Sequence, residues 1–297
     1  MTDGDMRANR PARAAFIGFG EAATAFLSGW AEGRPAMVRA YDVKTDAPET
    51  RDAMRARYEA HGVEEAAAPA AALAGAEVVF CLVTADQALR AAEAAEGLKP
   101  GALWFDCNSC APGTKRRAAE AISAAGGRYV DVAVMAPVHP RRHRTPLLIS
   151  GPHAEAAEAA LLALDMTPAI AGGEVGRASA IKMLRSVMIK GLEALTAECF
   201  LAARRAGVEA EVIASLEASD PEVGWRRRGA YNFERMMAHG ARRAAEMREV
   251  AATVAELGLG GGMSRAAAEW QDLLAATGAA PGEDDLIARA DALLARL

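Results

Sequence analysis

The chain has 297 residues, of which 52% are apolar, so we expect two domains with sizeable cores. Lys and Arg number 34 and Asp and Glu number 39, which gives a formal charge of −5. Dedicated nucleic-acid-binding domains are usually basic, so this balance argues against a nucleic acid partner and leaves small-molecule partners open.

Targeting and membrane signals are not found in the sequence. No uncharged apolar run approaches about 18 residues, so we expect no membrane partner. The polar start, Met1–Arg13, lacks the apolar segment of a secretory signal. Four cysteines (Cys81, Cys107, Cys110 and Cys199) are few for a chain of this length, which favours reduced thiols and a cytoplasmic location.

Short apolar runs alternate with helical stretches from Arg13 to about Ile170. The predicted strands are Ala14–Gly18, Met37–Tyr41, Glu77–Val83, Ala102–Asp106, Tyr129–Val134 and Leu147–Ser150. Several of them are separated by the Ala-rich segments Arg51–Ala60, Gln87–Ala95 and Thr114–Ala125. This alternation predicts an α/β fold with a mostly parallel sheet. The late runs have no helix between them, so that edge is predicted to be mixed or antiparallel.

From Gly176 to the end the sequence has no strand pattern. The predicted helices are Val175–Ala206, Glu209–Ala218, Asn232–Leu257, Ser264–Ala276 and Glu283–Leu297. Gly207 suits the residue after the first helix, and Ser264 suits an N-cap. A small helical domain so rich in apolar residues suggests that the chain forms a homodimer.

A glycine-rich turn follows the first predicted strand. It consists of Gly18, Phe19, Gly20, Glu21, Ala22 and Ala23, and it matches the pattern G-x-G-x-x-G/A. In this pattern the first glycine permits the tight turn, the second lets the backbone approach a pyrophosphate, and the third small residue keeps helix and sheet close. The phosphates then lie at the helix N-terminus, and the Glu21 side chain is expected to point away from them. We predict a dinucleotide site, with a merely structural turn as the alternative.

Asp42 ends the second predicted strand, 24 positions after Gly18. A carboxylate at this place accepts hydrogen bonds from ribose hydroxyls and repels a 2′-phosphate, which favours NAD over NADP. The basic residues Arg39 and Lys44 lie close by in sequence, so NADP remains possible. The alternative interpretation of Asp42 is an exposed loop residue. The domains are predicted as a flexible N-terminus at 1–12, a Rossmann dinucleotide-binding domain at 13–172, and an all-helical domain for substrate and dimerisation at 173–297, with a long interdomain helix.

Four segments occur in an order that resembles the β-hydroxyacid dehydrogenase family, which includes 3-hydroxyisobutyrate dehydrogenase and 6-phosphogluconate dehydrogenase. The helix start Gly176-x-Ala178-x-x-x-Lys182 resembles the family signature G-x-G/A-x-x-x-K. The other three segments are Phe80–Thr84, Asp106–Pro112 and Asp131–Pro137, and the tail His239–Met247 resembles a 6-phosphogluconate-dehydrogenase-like branch. The resemblance implies that Lys182 is catalytic and that Val83 and Thr84 line the cofactor. Asn108 or Ser109 is expected to contact substrate, with a plain turn as the alternative.

Chemistry gives a separate reason to choose Lys182. Oxidation of an alcohol needs a base for the hydroxyl proton, and reduction of a carbonyl needs the same group as an acid. Desolvation and a nearby cation, for which Arg185 is the candidate, lower the pKa of a lysine. The surrounding apolar residues predict that this helix is buried. The alternative is an ordinary surface lysine.

The chain departs from the family at two places. Ser186 stands four residues after Lys182, where the family usually has Asn, and it offers one hydroxyl donor in place of an amide. Met135-Ala136-Pro137 replaces the family's Ser-Gly-Gly, and Pro137 has no N–H to offer a substrate. We therefore expect Met135, Arg185 and Ser186 near a substrate that is held differently, most simply an organic acid.

Two further patterns have competing interpretations. The basic run His139-Pro140-Arg141-Arg142-His143-Arg144 is either an anion clamp or a solvated loop, and the same choice applies to Arg226–Arg228 and Arg242-Arg243. The spacing Cys107-x-x-Cys110 is interpreted as a coincidence, because the sequence has no second ligand pair for zinc. We therefore expect no metal.

The predicted function is an NAD(P)-dependent oxidoreductase for a β-hydroxy acid or its carbonyl counterpart. The alternatives are an imine reductase-like enzyme, against which Lys182 argues, and a non-catalytic dinucleotide-binding protein, which the altered loop at Met135 would suit.

Overall fold

The computed structural model describes residues 10–297, apart from the side chain of Glu32. Residues 1–9 of the predicted flexible N-terminus therefore lie outside the described residues. The chain divides into two compact units, Met1–Lys182 and Met183–Leu297. The division falls inside one long helix, which continues from the first unit into the second.

The first unit is built on one sheet, which has eight strands in the described part of the chain. The strands are β1 (Arg13–Ile17), β2 (Met37–Tyr41), β3 (Glu64–Glu65), β4 (Val78–Cys81), β5 (Leu103–Asp106), β6 (Arg128–Val134), β7 (Pro146–Ser150) and β8 (Thr167–Gly172). Their order is β3-β2-β1-β4-β5-β6-β7-β8, and only the β6–β7 pair is antiparallel. The predicted α/β fold with a mostly parallel sheet and a mixed edge is confirmed.

Helices connect most of these strands. They are α1 (Glu21–Trp30), α2 (Pro48–Ala60), α3 (Pro69–Leu73), α4 (Ala88–Glu93), α5 (Pro112–Ala124) and α6 (Ala154–Ala163). The chain order reverses between β1 and β4, since β2 lies on one side of β1 and β4 on the other. In open α/β sheets, ligands bind beyond the carboxyl ends of the strands at such a switch point.

The apolar strand residues explain why the sheet is buried on both faces. Side chains alternate along a strand, so Phe16, Phe80 and Phe105 share one face, where neighbouring ring centroids are 5.5 and 5.0 Å apart. Val79 and Trp104 are fully buried on the opposite face. Two apolar layers therefore fix the strands whose ends carry the site residues.

The second unit is helical. The long helix α7 (Arg177–Ala206) leads into it and is followed by α8 (Glu209–Ser219), α9 (Trp225–Glu256), α10 (Gly262–Ala276) and α11 (Leu286–Leu294). Its largest apolar cluster includes Phe200, Phe233, Met236, Leu274 and Leu293. Within residues 10–297, no helix combines the length and apolar character that crossing a membrane requires.

Several predicted boundaries were wrong. The helix that was expected to begin at Asn232 begins at Trp225. Arg226 and Arg227, which were expected in a loop, are exposed residues in its first turn. Ser264 is not an N-cap, since the helix starts at Gly262 after Gly261, whose φ is +61°. Helices α3 and α6 and strands β3 and β8 were not predicted. The β8 segment is a largely exposed edge strand that contains a proline, so its apolar signal is weak.

Candidate active site

The glycine-rich turn follows β1 at the switch point of the sheet. Gly18 has φ +85°, and a Cβ there would lie 2.4 Å from the carbonyl oxygen of Leu82 and 3.0 Å from Val83 Cγ1. Its N–H donates to the carbonyl oxygen of Tyr41 at 2.8 Å. Only glycine fits this backbone conformation and this close approach. The structure also places Val83 beside this turn, and its contact with a cofactor stays a prediction.

Gly20 has a different environment. A Cβ on Gly20 would meet no heavy atom within 4 Å, so the space beside the backbone is open. Gly20 is the N-cap of α1, and no side chain caps this helix start. Backbone N–H groups at a helix start favour an anion, and the open space permits a pyrophosphate to approach them. Glu21 is exposed and Ala23 is fully buried, while Ala22 is partly buried against the core.

Asp42 links this turn to the end of β2. Its Oδ2 accepts the N–H of Phe19 at 2.8 Å, and its Oδ1 accepts the N–H of Lys44 at 3.0 Å. Each carboxylate oxygen has two lone pairs, so both retain capacity for ribose hydroxyls. Of the two basic neighbours, Arg39 is bound elsewhere, because its Nε lies 3.0 Å from Glu64 Oε1. Asp42 therefore lies beside the glycine-rich turn, and its role in binding a ribose stays a prediction.

Thr84 follows β4 and begins a short 3-10 turn, Ala85–Gln87. Its side chain is exposed, and its carbonyl oxygen accepts the N–H of Gln87 at 3.0 Å. The predicted cofactor residues thus occupy the carboxyl ends of three adjacent strands, β2, β1 and β4.

The turn after β5 is shaped by Asp106, the last residue of that strand. Its Oδ1 accepts the N–H of Asn108 at 3.0 Å and the Asn108 Nδ2 at 2.7 Å. The same Nδ2 also lies 3.3 Å from Cys81 Sγ. Asn108 is only 4% exposed, and within residues 10–297 its Oδ1 has no hydrogen-bond partner. The Asn108 amide therefore holds the turn and leaves one acceptor unused.

The Lys182 side chain contacts the turn that follows β5. Its Nζ donates to Ser109 Oγ at 2.7 Å, and both side chains are partly buried. Both residues belong to the first unit, so this contact lies within one compact body. The structure thus joins the predicted acid–base residue to one of the two predicted substrate contacts.

The neighbouring thiols are not activated. Burial raises the pKa of Cys107 to about 12, although the ammonium groups of Lys115 and Lys182 act to lower it. Burial also raises the pKa of Cys81 well above its usual value. A redox dithiol needs a lowered thiol pKa, whereas the pKa of Cys107 is raised. No group of His, Cys, Asp or Glu side chains suited to a metal ion occurs in the part of the chain that the structure describes.

Arg185 and Ser186 belong to the second unit. Arg185 is exposed, whereas Ser186 is 5% exposed and its Oγ accepts a hydrogen bond from Lys190 Nζ at 3.3 Å. The expectation that the helix around Lys182 is buried was wrong for one side of it. Ile181 is 41% exposed and Met188 is 64% exposed, so these apolar side chains of α7 are not fully covered by residues 10–297.

Met135 follows β6, and its N–H donates to the carbonyl oxygen of Pro146 at 2.9 Å. Beyond it, part of the basic run pairs with Asp165. Arg144 Nε donates to Asp165 Oδ2 at 3.0 Å, and His143 Nε2 lies 3.3 Å from the same oxygen. A Cβ on Gly29 would overlap the buried His143 ring. This end of the run is thus used for local packing, which favours the structural interpretation there.

Two buried lysines were not predicted from the sequence. Lys115 is fully buried on α5, and Lys190 is 6% exposed on α7. A usable signal existed for Lys115. It precedes Ala118 and Ile122 by three and seven residues, the spacing of one helix face, and both of these residues are fully buried.

Comparison with known proteins agrees with this geometry. Residues 14–176 match the family model described as the NAD binding domain of 6-phosphogluconate dehydrogenase. Residues 203–274 match a domain of unknown function, DUF1932. Among curated proteins, no sequence gives a significant match.

Three solved structures are similar to the chain. A conserved hypothetical protein from Sinorhizobium meliloti 1021 is 37% identical, with 98% of each chain covered and a TM-score of 0.77. Conserved protein MTH1747, described as similar to 3-hydroxyacid dehydrogenases, is 31% identical over 88% of this chain and 97% of its own, with a TM-score of 0.66. The 3-hydroxyisobutyrate dehydrogenase of Mycobacterium tuberculosis shares the fold at 18% identity, with 96% and 98% covered and a TM-score of 0.71.

The family model covers more than half of the chain, and it includes both the glycine-rich turn and the strand ends that carry Asp42, Asn108 and Ser109. The chain therefore belongs to the family defined by the NAD-binding domain of 6-phosphogluconate dehydrogenase, a β-hydroxyacid dehydrogenase-like family of NAD(P)-binding proteins.

Proposed function

We propose that the protein is an oxidoreductase that transfers hydride between a nicotinamide cofactor and a β-hydroxy acid or its carbonyl counterpart, with Lys182 as the general acid and base. The observation that carries this proposal is the 2.7 Å contact between Lys182 Nζ and Ser109 Oγ, beyond the carboxyl end of β5. A family member without chemistry would not need an amine held against a hydroxyl at the ligand-binding edge of the sheet.

The residues around the glycine-rich turn fit the cofactor. The open space at Gly20 and the uncapped start of α1 suit the pyrophosphate, and Asp42 suits a ribose with free 2′ and 3′ hydroxyls. We therefore favour NAD over NADP. A bound nicotinamide supplies the hydride acceptor for oxidation, or the donor for reduction.

In this proposal Lys182 transfers the proton that accompanies hydride transfer. In the oxidation direction, neutral Lys182 accepts the substrate's hydroxyl proton while the carbon loses hydride, which leaves a carbonyl and a lysine ammonium. In the reduction direction the ammonium returns that proton to the carbonyl oxygen. The Ser109 hydroxyl, which accepts from Lys182, can direct its own hydrogen to the same substrate oxygen.

Substrate anchoring is assigned to groups that still have hydrogen-bonding capacity. Asn108 Oδ1 is a buried acceptor suited to a substrate hydroxyl. Pro137 offers no N–H, and the Met135 N–H is already used by Pro146, so the loop after β6 gives few donors for a carboxylate. The role of Arg185 and Ser186 as anchors for an acid group stays a prediction from the sequence.

The deciding experiment is a screen of short β-hydroxy acids, run with NAD and with NADP, that follows the absorbance of the reduced nicotinamide. We expect turnover of at least one hydroxy acid, with NAD preferred. Reduction of cyclic imines without any turnover of hydroxy acids would favour the imine reductase-like alternative. Tight cofactor binding without turnover of either class would favour a non-catalytic dinucleotide-binding protein.

A further inference from the structure

A fully buried lysine lies beneath the candidate active site. Lys115 Nζ is 3.0 Å from Asp106 Oδ1 and 3.5 Å from Asp131 Oδ1, and it donates to the carbonyl oxygen of Asp106 at 2.7 Å. Burial by itself would lower the pKa of Lys115, but the carboxylates of Asp106 and Asp131 and the thiol of Cys110 outweigh it and raise this pKa. Lys115 is therefore an ammonium that bridges two carboxylates.

The two carboxylates come from neighbouring strands. Asp106 on β5 and Asp131 on β6 are paired in register, and Tyr129 donates its hydroxyl hydrogen to Asp106 Oδ2 at 2.7 Å. Each carboxylate also accepts a hydrogen bond from a backbone N–H group in a different segment. Asp106 holds the turn that carries Asn108 and Ser109, through the N–H of Asn108.

Asp131 holds the first turn of α7. Its Oδ2 accepts the N–H of Ser179 at 3.0 Å, and its Oδ1 accepts the Ser179 hydroxyl at 2.5 Å. Ser150 completes the arrangement, because its hydroxyl donates to Asp131 Oδ2 at 3.1 Å and accepts the N–H of Ala178 at 3.0 Å. Ser179 is three residues before Lys182 on the same helix.

We propose that Lys115 is a positioning residue, which fixes the Ser109 hydroxyl against the Lys182 amine by joining the two carboxylates on which their backbones depend. This inference rests on the function proposed above. Ser109 is attached to the network through Asp106, and Lys182 is attached through Asp131. Lys115 contacts both carboxylates.

A purely stabilising role does not explain why Lys115, Asp106 and Asp131 are buried together. Replacement of buried ion pairs by apolar side chains is often neutral or stabilising, so a core of Met or Leu would serve a purely structural need. A connected polar network, in contrast, fixes one arrangement of the groups that it binds. General acid–base catalysis needs such a fixed arrangement, because misplacement by about 1 Å can cost about 10²-fold in rate.

The test measures the titration of the Lys182 amine without any substrate. Trace acetic anhydride labels the native protein across a pH series, and peptide mass spectrometry gives the extent of labelling at Lys182. In Lys115→Met we expect the titration midpoint to rise by at least about 0.5 pH unit, because loss of a nearby positive charge favours the remaining ammonium. We also expect kcat to fall at least about 10-fold, while the Kd for the cofactor changes less than about 2-fold.

Two milder variants keep the ion pairs. Ser150→Ala and Ser179→Ala each remove hydroxyl contacts to Asp131, and we expect kcat to fall at least about 3-fold in each with the Lys182 midpoint displaced. The matched control is Ile122→Val, which removes one methyl group from the buried side of the same helix and leaves both carboxylates untouched. It should lower Tm without displacing the midpoint.

A Lys115→Met protein that behaves like the Ile122→Val control, with lower Tm and an unchanged midpoint and kcat, overturns the proposal. If Lys115→Met does not fold, unchanged midpoints in both serine variants overturn it equally. The labelling needs no substrate, so a wild-type protein that turns over no hydroxy acid would refute the proposed function, while the midpoints of the two serine variants, in which no charge is removed, still decide the positioning role.

Discussion

The two units bury charge in different ways. In the first unit, the buried charges bind backbone groups at the end of β5 and in the first turn of α7. Lys115 binds the carbonyl oxygen of Asp106, and Asp131 binds the N–H of Ser179. In the second unit, the side chains of Arg243 and Gln271 bind the Glu193 side chain, with Arg243 Nε and Gln271 Nε2 at 2.9 and 2.8 Å from Glu193 Oε2.

This difference separates two uses of a buried charge. A carboxylate that binds backbone N–H groups determines the shape of a turn, and at the ends of parallel strands such turns form the ligand site. A carboxylate that binds side chains from other helices fastens those helices together, here α7, α9 and α10. We therefore expect changes in the first cluster to appear in catalysis, and changes in the second to appear in stability.

The largest expected effect is on stability, in Arg243→Met. The side chain of Arg243 is 10% exposed and that of Glu193 is 2% exposed, so the variant leaves a buried carboxylate without its cation. Removal of one partner of a buried pair typically costs about 3–5 kcal/mol of the free energy of unfolding. Urea denaturation measures this loss, and cofactor binding should not change.

The neighbouring Arg242 is the matched control. Its side chain is 58% exposed and pairs with Glu246 one helical turn away, so Arg242→Met should cost less than about 1 kcal/mol. Equal losses in the two variants would contradict the distinction between buried and exposed pairs in this unit.

In the first unit the largest expected effect is on catalysis, in Lys182→Ala. Loss of the acid–base group should lower kcat at least about 10²-fold, the lower end of the range for such groups. Steady-state kinetics measure kcat, and fluorescence titration with reduced cofactor should give a Kd within about 2-fold of wild type. The control is Lys99→Ala, since Lys99 is a half-exposed surface lysine. A Lys182→Ala enzyme with full activity would refute the catalytic role.

The parts of the site predicted from sequence are those that depend on local pattern. Gly18 was identifiable because the backbone conformation after β1 permits only glycine, and Asp42 because it ends an apolar run. Lys115 was not identified, because charged residues usually lie on the surface. Arg243 was considered only as an anion contact or a solvated loop residue, and both interpretations were wrong, since it is buried in α9 and paired with Glu193. The link from Asp131 to Ser179 depends on which strand lies beside the start of α7, and no local pattern contains that information.

A smaller effect is expected on cofactor choice, in Asp42→Asn. The amide removes the negative charge that would repel a 2′-phosphate and one of the acceptors for ribose hydroxyls. The ratio of kcat/KM with NAD to that with NADP should fall about 10-fold, which corresponds to about 1.4 kcal/mol. Asp46→Asn is the control, because Asp46 is exposed and bonded to the Tyr41 hydroxyl. An unchanged ratio in Asp42→Asn would assign cofactor choice to other residues.

The smallest expected effect concerns the thiols and again compares the two units. Burial raises the pKa of Cys107 to about 12, so little thiolate forms at pH 8, and the side chain is only 6% exposed. Cys199 in the second unit is partly exposed, although burial raises the pKa of its thiol too. Iodoacetamide at pH 8 should therefore modify Cys199 first and leave Cys107 unmodified until the protein is denatured.

Peptide mass spectrometry after timed quenching measures this order, with guanidinium-denatured protein as the reference in which all four thiols react. Because the thiolate is the reactive form, a buried thiol with a raised pKa reacts only when its surroundings open. Alkylation of Cys107 as fast as Cys199 in the native protein would show that the end of β5 opens readily. Such opening is incompatible with a rigid strand end that holds Ser109 against Lys182.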